Sequence, residues 1–329
     1  MNTDLNMLTS LEICAGAGGQ ALGLEMAGFN HTGLVEIDIN ACETLVKNRP
    51  EWHVIQGDIK KFSGKNFIGV DLLAGGVPCP PFSVAGNQLG PADERDLFPD
   101  ALRLAKVIRP KAIMLENVKG LFNPSFKGYR DNIIKELSSL GYVAEWKLLN
   151  ASDYGVSQLR PRTILVAFLK KLNLEFSWPI EFETPAPTVG NLLYDLMAAN
   201  EWELAESWTL KANKIAPTIV GGSKKHGGPD LGPTRAKKAW AEMGVDGNGI
   251  ANDPPQKSFI GLPKLTVRMA ARIQGFPDEW VITGKKTAAY RQVGNAFPPP
   301  VALAVGRQIA KALMPKTNYE EKQEALSYQ

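Results

Sequence analysis

Three short segments of this 329-residue chain carry side chains that could do chemistry on a heterocycle. In Gly75-Gly76-Val77-Pro78-Cys79-Pro80-Pro81-Phe82-Ser83 a single thiol stands among prolines, just after the apolar run 70–74. That run reads as a buried parallel strand, and ligands of such sheets bind beyond the strands' carboxyl ends, so Cys79 is aimed at a site. A free thiol titrates near about 8.5, so a nucleophilic Cys79 needs surroundings that favour thiolate; a purely structural Pro-Cys-Pro turn is the competing reading. A second apolar run, 112–115, ends in Glu116, whose carboxyl group would emerge beside the Cys79 loop and could protonate or hydrogen-bond a ring nitrogen. The third segment is Gln158-Leu159-Arg160-Pro161-Arg162. Alternation along an extended chain puts both guanidinium groups on one face, suited to a phosphate or to the edge of a base.

A glycine-rich turn, Cys14-Ala15-Gly16-Ala17-Gly18-Gly19, follows the first apolar run and precedes a helix expected over 20–27. Glycines there permit close backbone approach to a ligand, although ordinary turn construction would use them too. Glu36 lies twenty residues beyond Gly16, near the end of the next strand, where a nucleotide-binding sheet places a carboxylate for ribose hydroxyls. Asp58 follows the third strand and could accept a hydrogen bond from an adenine amino group or simply cap a turn.

The elements that must position these groups alternate between short apolar runs and helix-like stretches from residue 8 to about 167, the pattern of an open α/β sheet with covered faces. Strands are expected over 10–14, 33–37, 52–56, 70–74, 112–116, 143–149 and 163–168. After about residue 185 the texture turns to Gly, Pro, Lys and Trp with little periodicity, most clearly over 216–255, and predicts a second, loop-rich domain. A helical pattern resumes over 265–273, and 301–313 is an apolar-periodic helix that could return to the first domain, with a frayed polar tail from 316 onward. Tyr290 to Pro298 could be only a turn into that last helix.

Thirty-seven basic against 34 acidic side chains leave a formal charge of +3, too small to identify a nucleic-acid ligand by itself. Three scattered cysteines are no disulfide framework and point to a reducing cytoplasm. The chain has neither an apolar stretch of membrane-spanning length nor the pattern of a signal peptide at its start, so no membrane association is expected. His31, His53 and His226 are too dispersed to suggest a metal site.

In this order the residues resemble the bacterial DNA cytosine-5 methyltransferases of restriction-modification systems. The blocks are Leu11 to Gly19 with Gly23, Glu36, Asp58, Gly75 to Ser83, Arg95 to Phe98, Glu116 to Val118, Gln158 to Arg162, Leu265 to Pro277 and Tyr290 to Pro298. The resemblance implies a Rossmann-like methyltransferase domain over 1–184, a smaller loop-rich target-recognition domain over 185–272, and a hinge with a return to the catalytic domain over 273–329. It implies Cys79 as nucleophile, Glu116 as catalytic glutamate, and Arg160 and Arg162 as paired active-site arginines. S-adenosylmethionine would be the cofactor and S-adenosylhomocysteine its product, with no metal. The implied cofactor positions are Cys14, Ala15, Gly16, Gly18, Gly19, Glu36, Ile37, Asp58, Ile59, Pro78, Leu97 and Asn295. Two departures stand out: Cys14 replaces an aromatic that would pack on the cofactor, and Pro80 and Pro81 follow the nucleophile where glutamine or serine is common.

On this resemblance the thiolate adds to cytosine carbon 6 and makes carbon 5 nucleophilic, and a base buried in a duplex must first leave the helix. Duplex DNA is the expected partner, contacted by Ser83, Lys224, Lys225, Arg235, Lys237 and Lys238, although a solvated basic loop accounts for those lysines equally well. A companion restriction endonuclease is expected from the family. An RNA cytosine-5 methyltransferase on the same framework and a noncatalytic nucleic-acid-binding protein are the alternatives; a nicotinamide oxidoreductase would leave Cys79, Glu116 and Arg162 without a role.

Overall fold

A computed structural model describes residues 7–78, 96–221 and 229–314. Seven strands, β1 (Leu8–Ile13), β2 (Phe29–Glu36), β3 (Val54–Gln56), β4 (Leu72–Gly76), β5 (Ala112–Val118), β6 (Tyr142–Asn150) and β7 (Pro161–Leu169), form one sheet in the order β3-β2-β1-β4-β5-β7-β6. The first five run parallel, and β7 lies antiparallel between β5 and β6. Strand order reverses between β1 and β4, the point at which such sheets open a crevice for ligands. Each expected strand is present, its ends displaced by at most four residues, and the α/β class holds with a mixed rather than wholly parallel sheet.

Both faces of the sheet are covered, so alternate residues of one strand enter different cores. Ala112 and Met114 of β5 join β4 Ala74 and β7 Val166 on one side; Ile113 and Leu115 join Leu73 and Leu165 on the other. The second side is closed by α3 (Phe98–Ile108) and α4 (Lys127–Ser139), and the first by α1 (Gly19–Met26) and the last helix of the chain. α2 (Ile39–Asn48) links β2 to β3. The return of the chain onto α1 depends on two missing side chains. A Cβ on Gly23 would stand 2.4 Å from Pro299 O, and one on Gly306 would stand 2.9 Å from the Cβ of Ala27.

Beyond the sheet come α5 (Val189–Met197), α6 (Ala205–Lys211), α7 (Thr234–Glu242), α8 (Val267–Ile273), α9 (Lys286–Asn295) and α10 (Pro299–Leu313). The stretch 216–255 is therefore less loop-like than expected, because it holds α7. That helix buries only Trp240, too sparse an apolar signal to show a helical period. Likewise Tyr290 to Asn295 is not a turn but the end of α9. A third hydrophobic cluster unites Trp202, Trp208 and Trp240 with Trp280 and with Leu34 and Leu45 of the sheet domain, so the later helices share a core with the carboxyl end of the sheet.

Candidate active site and cofactor cavity

A cavity of about 270 Å³ opens at the reversal point of the sheet. All the expected cofactor positions line it except Gly18, which instead begins α1 in the left-handed region at φ +83°. A Cβ on Gly18 would stand 2.7 Å from Leu45 Cδ2 and 2.9 Å from the Trp280 ring, so glycine there serves packing as well as backbone conformation. Trp280 also donates from Nε1 to Ala17 O at 3.0 Å, tying the glycine turn to the later part of the chain. Cys14 lies at the end of β1 with φ +53°, a conformation that costs a side-chain-bearing residue about 1–2 kcal/mol.

Glu36 is buried at the tip of β2 and held by backbone alone. Its Oε2 accepts from Gly16 N at 2.7 Å, and its Oε1 accepts from Ile37 N and Asp38 N, both at 2.8 Å. Oε1 thereby uses both of its lone pairs, and Oε2 keeps one for a ligand hydroxyl. Ile37 is 66% exposed at the rim, an apolar surface against which a flat ring can lie. Asp58 caps its own turn, Oδ1 accepting from Lys60 N at 2.9 Å, and also lines the cavity.

The acid side of the site is built by sheet register. Because β7 runs antiparallel to β5, its first residues lie against the last ones of β5: Arg162 pairs with Val118 and Ile164 with Glu116. Arg162 Nε thereby reaches Glu116 Oε1 at 2.8 Å, with both side chains 10% exposed. Burial raises the Glu116 carboxyl above its ordinary value, while Arg162 and Arg160 pull the other way. A carboxyl group so placed keeps its proton to higher pH than an exposed one and is still oriented by a cation. Asn117 next to it donates from Nδ2 to Val77 O at 2.7 Å, pinning the end of the Gly76-Val77-Pro78 segment.

Arg160 has another environment. It is fully buried, and its guanidinium donates to Ile219 O at 2.6 Å, Gly294 O at 2.8 Å and Ala296 O at 2.9 Å. Gln158 extends the seam, its Oε1 accepting from Ile219 N at 2.8 Å and its Nε2 donating to Gln274. Gly221 and Gly294 face each other there so closely that a Cβ on Gly294 would stand 2.4 Å from Gly221 N. The two arginines expected as a pair thus point to different partners.

Cys79 and Ser83 lie outside the described residues, as do Lys224 and Lys225. The residues flanking the first of these segments are neighbours, since Leu97 N donates to Pro78 O at 3.1 Å. The other two thiols are poor nucleophiles: burial with nearby carboxylates pushes Cys14 up to about 12 and Cys42 up to about 11. Arg235 and Lys238 are exposed on α7, and Lys237 on the same helix pairs with Asp230 at 2.7 Å. Among the described residues no group of three His, Cys, Asp or Glu could hold a metal ion, and no helix is long and apolar enough to cross a membrane.

Several cavity residues were not anticipated. Glu12 and Gln20 are buried against it, and none of their side-chain oxygen and nitrogen atoms has a hydrogen-bond partner. An acidic residue inside an apolar strand was the available signal for Glu12. α9 contributes Ala288, Arg291 and Gln292 beside the expected Asn295, spaced as one helical face that only knowledge of the helix reveals.

The family model described as C-5 cytosine-specific DNA methylase matches residues 8–311. The chain is 60% identical over 316 residues to the type II methyltransferase M.NaeI of Lentzea aerocolonigenes, covering 94% of this chain and 76% of that one. It is 58% identical over 308 residues to M.NgoMIV of Neisseria gonorrhoeae, covering 93% and 98%. A crystal structure described as that of a DNA modification methyltransferase encoded within an E. coli prophage superimposes with a TM-score of 0.67 at 25% identity, over 93% of this chain and 99% of that one. The S. pombe Dnmt2 methyltransferase shares the fold, with a TM-score of 0.62 at 17% identity over 92% and 98% of the two chains.

Proposed function

This chain belongs to the C-5 cytosine-specific DNA methylase family, and we propose a division of labour among its residues for the family reaction. The reaction methylates carbon 5 of a cytosine that has left the DNA duplex, through a covalent cysteine adduct. S-adenosylmethionine, when bound, supplies a methyl group on a positively charged sulfur. The cavity suits that molecule: Glu36 Oε2 presents a free lone pair to a ribose hydroxyl, and Ile37 presents an apolar surface to a purine.

Cys79 is the nucleophile. Its support is connectivity: it follows Pro78, which lines the cavity and is pinned through Leu97, and the chain's two other thiols are pushed too high to ionise readily. The Cys79 thiolate bonds to cytosine carbon 6, and the electrons of the 5,6 double bond move into the ring as N3 is protonated or strongly hydrogen-bonded by Glu116. Carbon 5 then takes the methyl group. A solvent base takes the carbon 5 proton, the double bond re-forms with expulsion of the Cys79 thiolate, and N3 returns its proton to Glu116. Arg162 orients Glu116 and offsets negative charge on the base, and this pair is the observation that carries the assignment. Arg160 acts through position, holding the seam from which Asn295 faces the cavity.

Target reading belongs to 185–272, between a catalytic part over 1–184 and a return over 273–329. Arg235 and Lys238 on α7 contact DNA phosphates, with Lys237, Lys224, Lys225 and Ser83 completing the surface. A companion restriction endonuclease and a cytoplasmic setting complete this reading.

The test uses duplex DNA carrying 5-fluorocytosine at target sites, on which elimination is blocked. With S-adenosylmethionine present, the protein becomes covalently attached to DNA, and peptide mapping places the bond on Cys79. A bond to Cys14 or Cys42, or full turnover by Cys79→Ala, would overturn the assignment.

A further inference from the structure

We propose that Arg291 holds the carboxylate of the amino-acid arm of S-adenosylmethionine, the one anionic group of that molecule. This rests on the cavity being the cofactor site. Five carboxyl groups line it, those of Glu12, Glu36, Asp38, Asp58 and Glu116. Arg291 supplies the one cationic side chain of that lining among the described residues. Such a wall complements a ligand that carries a sulfonium and an ammonium but needs a partner for its single carboxylate.

The directions of the ligand's arms place that partner. A sulfonium carries three substituents, and two are assigned by the walls already described: the adenosyl arm toward Glu36 and Asp58, and the methyl group toward Pro78 and Glu116. The amino-acid arm is left with the third wall, made by the glycine turn, Gln20 and the inner face of α9. On that face Gln292 is already committed, accepting from Thr44 Oγ1 at 2.7 Å and donating to Thr283 O at 2.9 Å. Arg291 forms no hydrogen bond or ion pair with the described residues, and its Nε is buried without a partner. A buried donor of this kind is costly to leave unsatisfied, and a carboxylate satisfies a guanidinium through two parallel bonds. Glu12, fully buried, is held well above the ordinary carboxyl range by burial and by Glu36, with the Ala21 backbone pulling the other way, and a neighbouring ligand cation would relieve it.

The test is calorimetry on the full chain with three ligands. These are S-adenosylmethionine, its decarboxylated analogue, which keeps the sulfonium and ammonium, and methylthioadenosine, which lacks the amino-acid arm. Arg291→Ala should weaken S-adenosylmethionine about tenfold to hundredfold while shifting the decarboxylated analogue by no more than about twofold, as expected of one charge-assisted contact. Arg291→Lys, which keeps the charge but not the fork, should fall between Ala and wild type, and melting curves establish that each variant is folded. Equal losses for both charged ligands, or no loss for either, would overturn the proposal. Glu36→Ala separates the layers, because it should weaken all three ligands. If Glu36→Ala changes none of them, the cavity assignment itself falls, and the role of Arg291 falls with it.

Discussion

The strand-end half of the cavity and the helical half are built by different means. At the strand ends, Glu36, Asp58 and Glu116 are placed by sheet geometry and held by immediate neighbours: backbone amides for Glu36, its own turn for Asp58, and the adjacent antiparallel strand for Glu116. On the opposite side, α9 and the Arg160 seam are placed by contacts between residues far apart in sequence, such as Arg160 with Gly294 and Thr44 with Gln292. Damage at the strand ends should therefore change chemistry or ligand affinity with the fold intact. Damage at the seam should change stability first.

The largest separation is expected from Glu116→Gln. The amide keeps a hydrogen-bond donor but cannot deliver a proton, so turnover should fall about 10²–10⁴-fold with little change in melting temperature. The pH profile sharpens the point. Burial raises the carboxyl above its ordinary 4.5, so the protonated form persists to higher pH in the folded protein, and turnover should decline as pH rises through that raised value. The folded state binds this proton more tightly than the unfolded one, so stability from this group is fully present below 4.5 and is lost as pH climbs through the window. Both slopes should be absent in Glu116→Gln; their persistence would place the titrating group elsewhere.

Glu36→Ala is the next largest effect. Removing a buried hydrogen-bond partner should weaken S-adenosylmethionine by about 1–3 kcal/mol, read by calorimetry, while the three amides it orphans, all at the cavity wall where solvent can reach them, should cost the ligand-free protein less than that. Gly294→Ala should do the reverse. The added methyl meets the Gly221 backbone and should cost about 1–3 kcal/mol of stability in denaturant titrations, with a smaller secondary loss of ligand affinity through displaced Asn295. A Gly294→Ala protein of unchanged stability would break the comparison.

The smallest effects belong to α7. Arg235→Ala and Lys238→Ala should each reduce the slope of log affinity for DNA against log salt by about one, without changing which sequence is methylated. A changed target sequence would assign base reading to that helix.

The same division sets what the sequence disclosed. Strands buried on both faces leave continuous apolar runs, so β1, β4 and β5 and the groups at their tips were visible from a few residues each. Arg160 and Arg162 looked equivalent because alternation predicts a shared face and nothing more; which of them meets Glu116 depends on the register of β7 against β5. α7 shows no helical period because it buries Trp240 alone, and in α9 the apolar Ala289, Tyr290 and Val293 stand among polar residues and a glycine, so the cavity-facing places of Arg291 and Gln292 were not legible either. Gly18 was read as a ligand contact although tertiary packing against Leu45 and Trp280 also claims it.

The Arg160 seam also bears on how such a protein can be rebuilt. Its guanidinium grips main-chain oxygens of Ile219, Gly294 and Ala296, and every residue type offers the same oxygen. The joint is therefore blind to side-chain identity except where Gly221 meets Gly294. A recognition segment transplanted from a relative needs to reproduce a backbone path, that one glycine contact and the tryptophans of the shared core; its outward surface is free to diverge, which makes the seam a natural coupling for interchangeable reading heads.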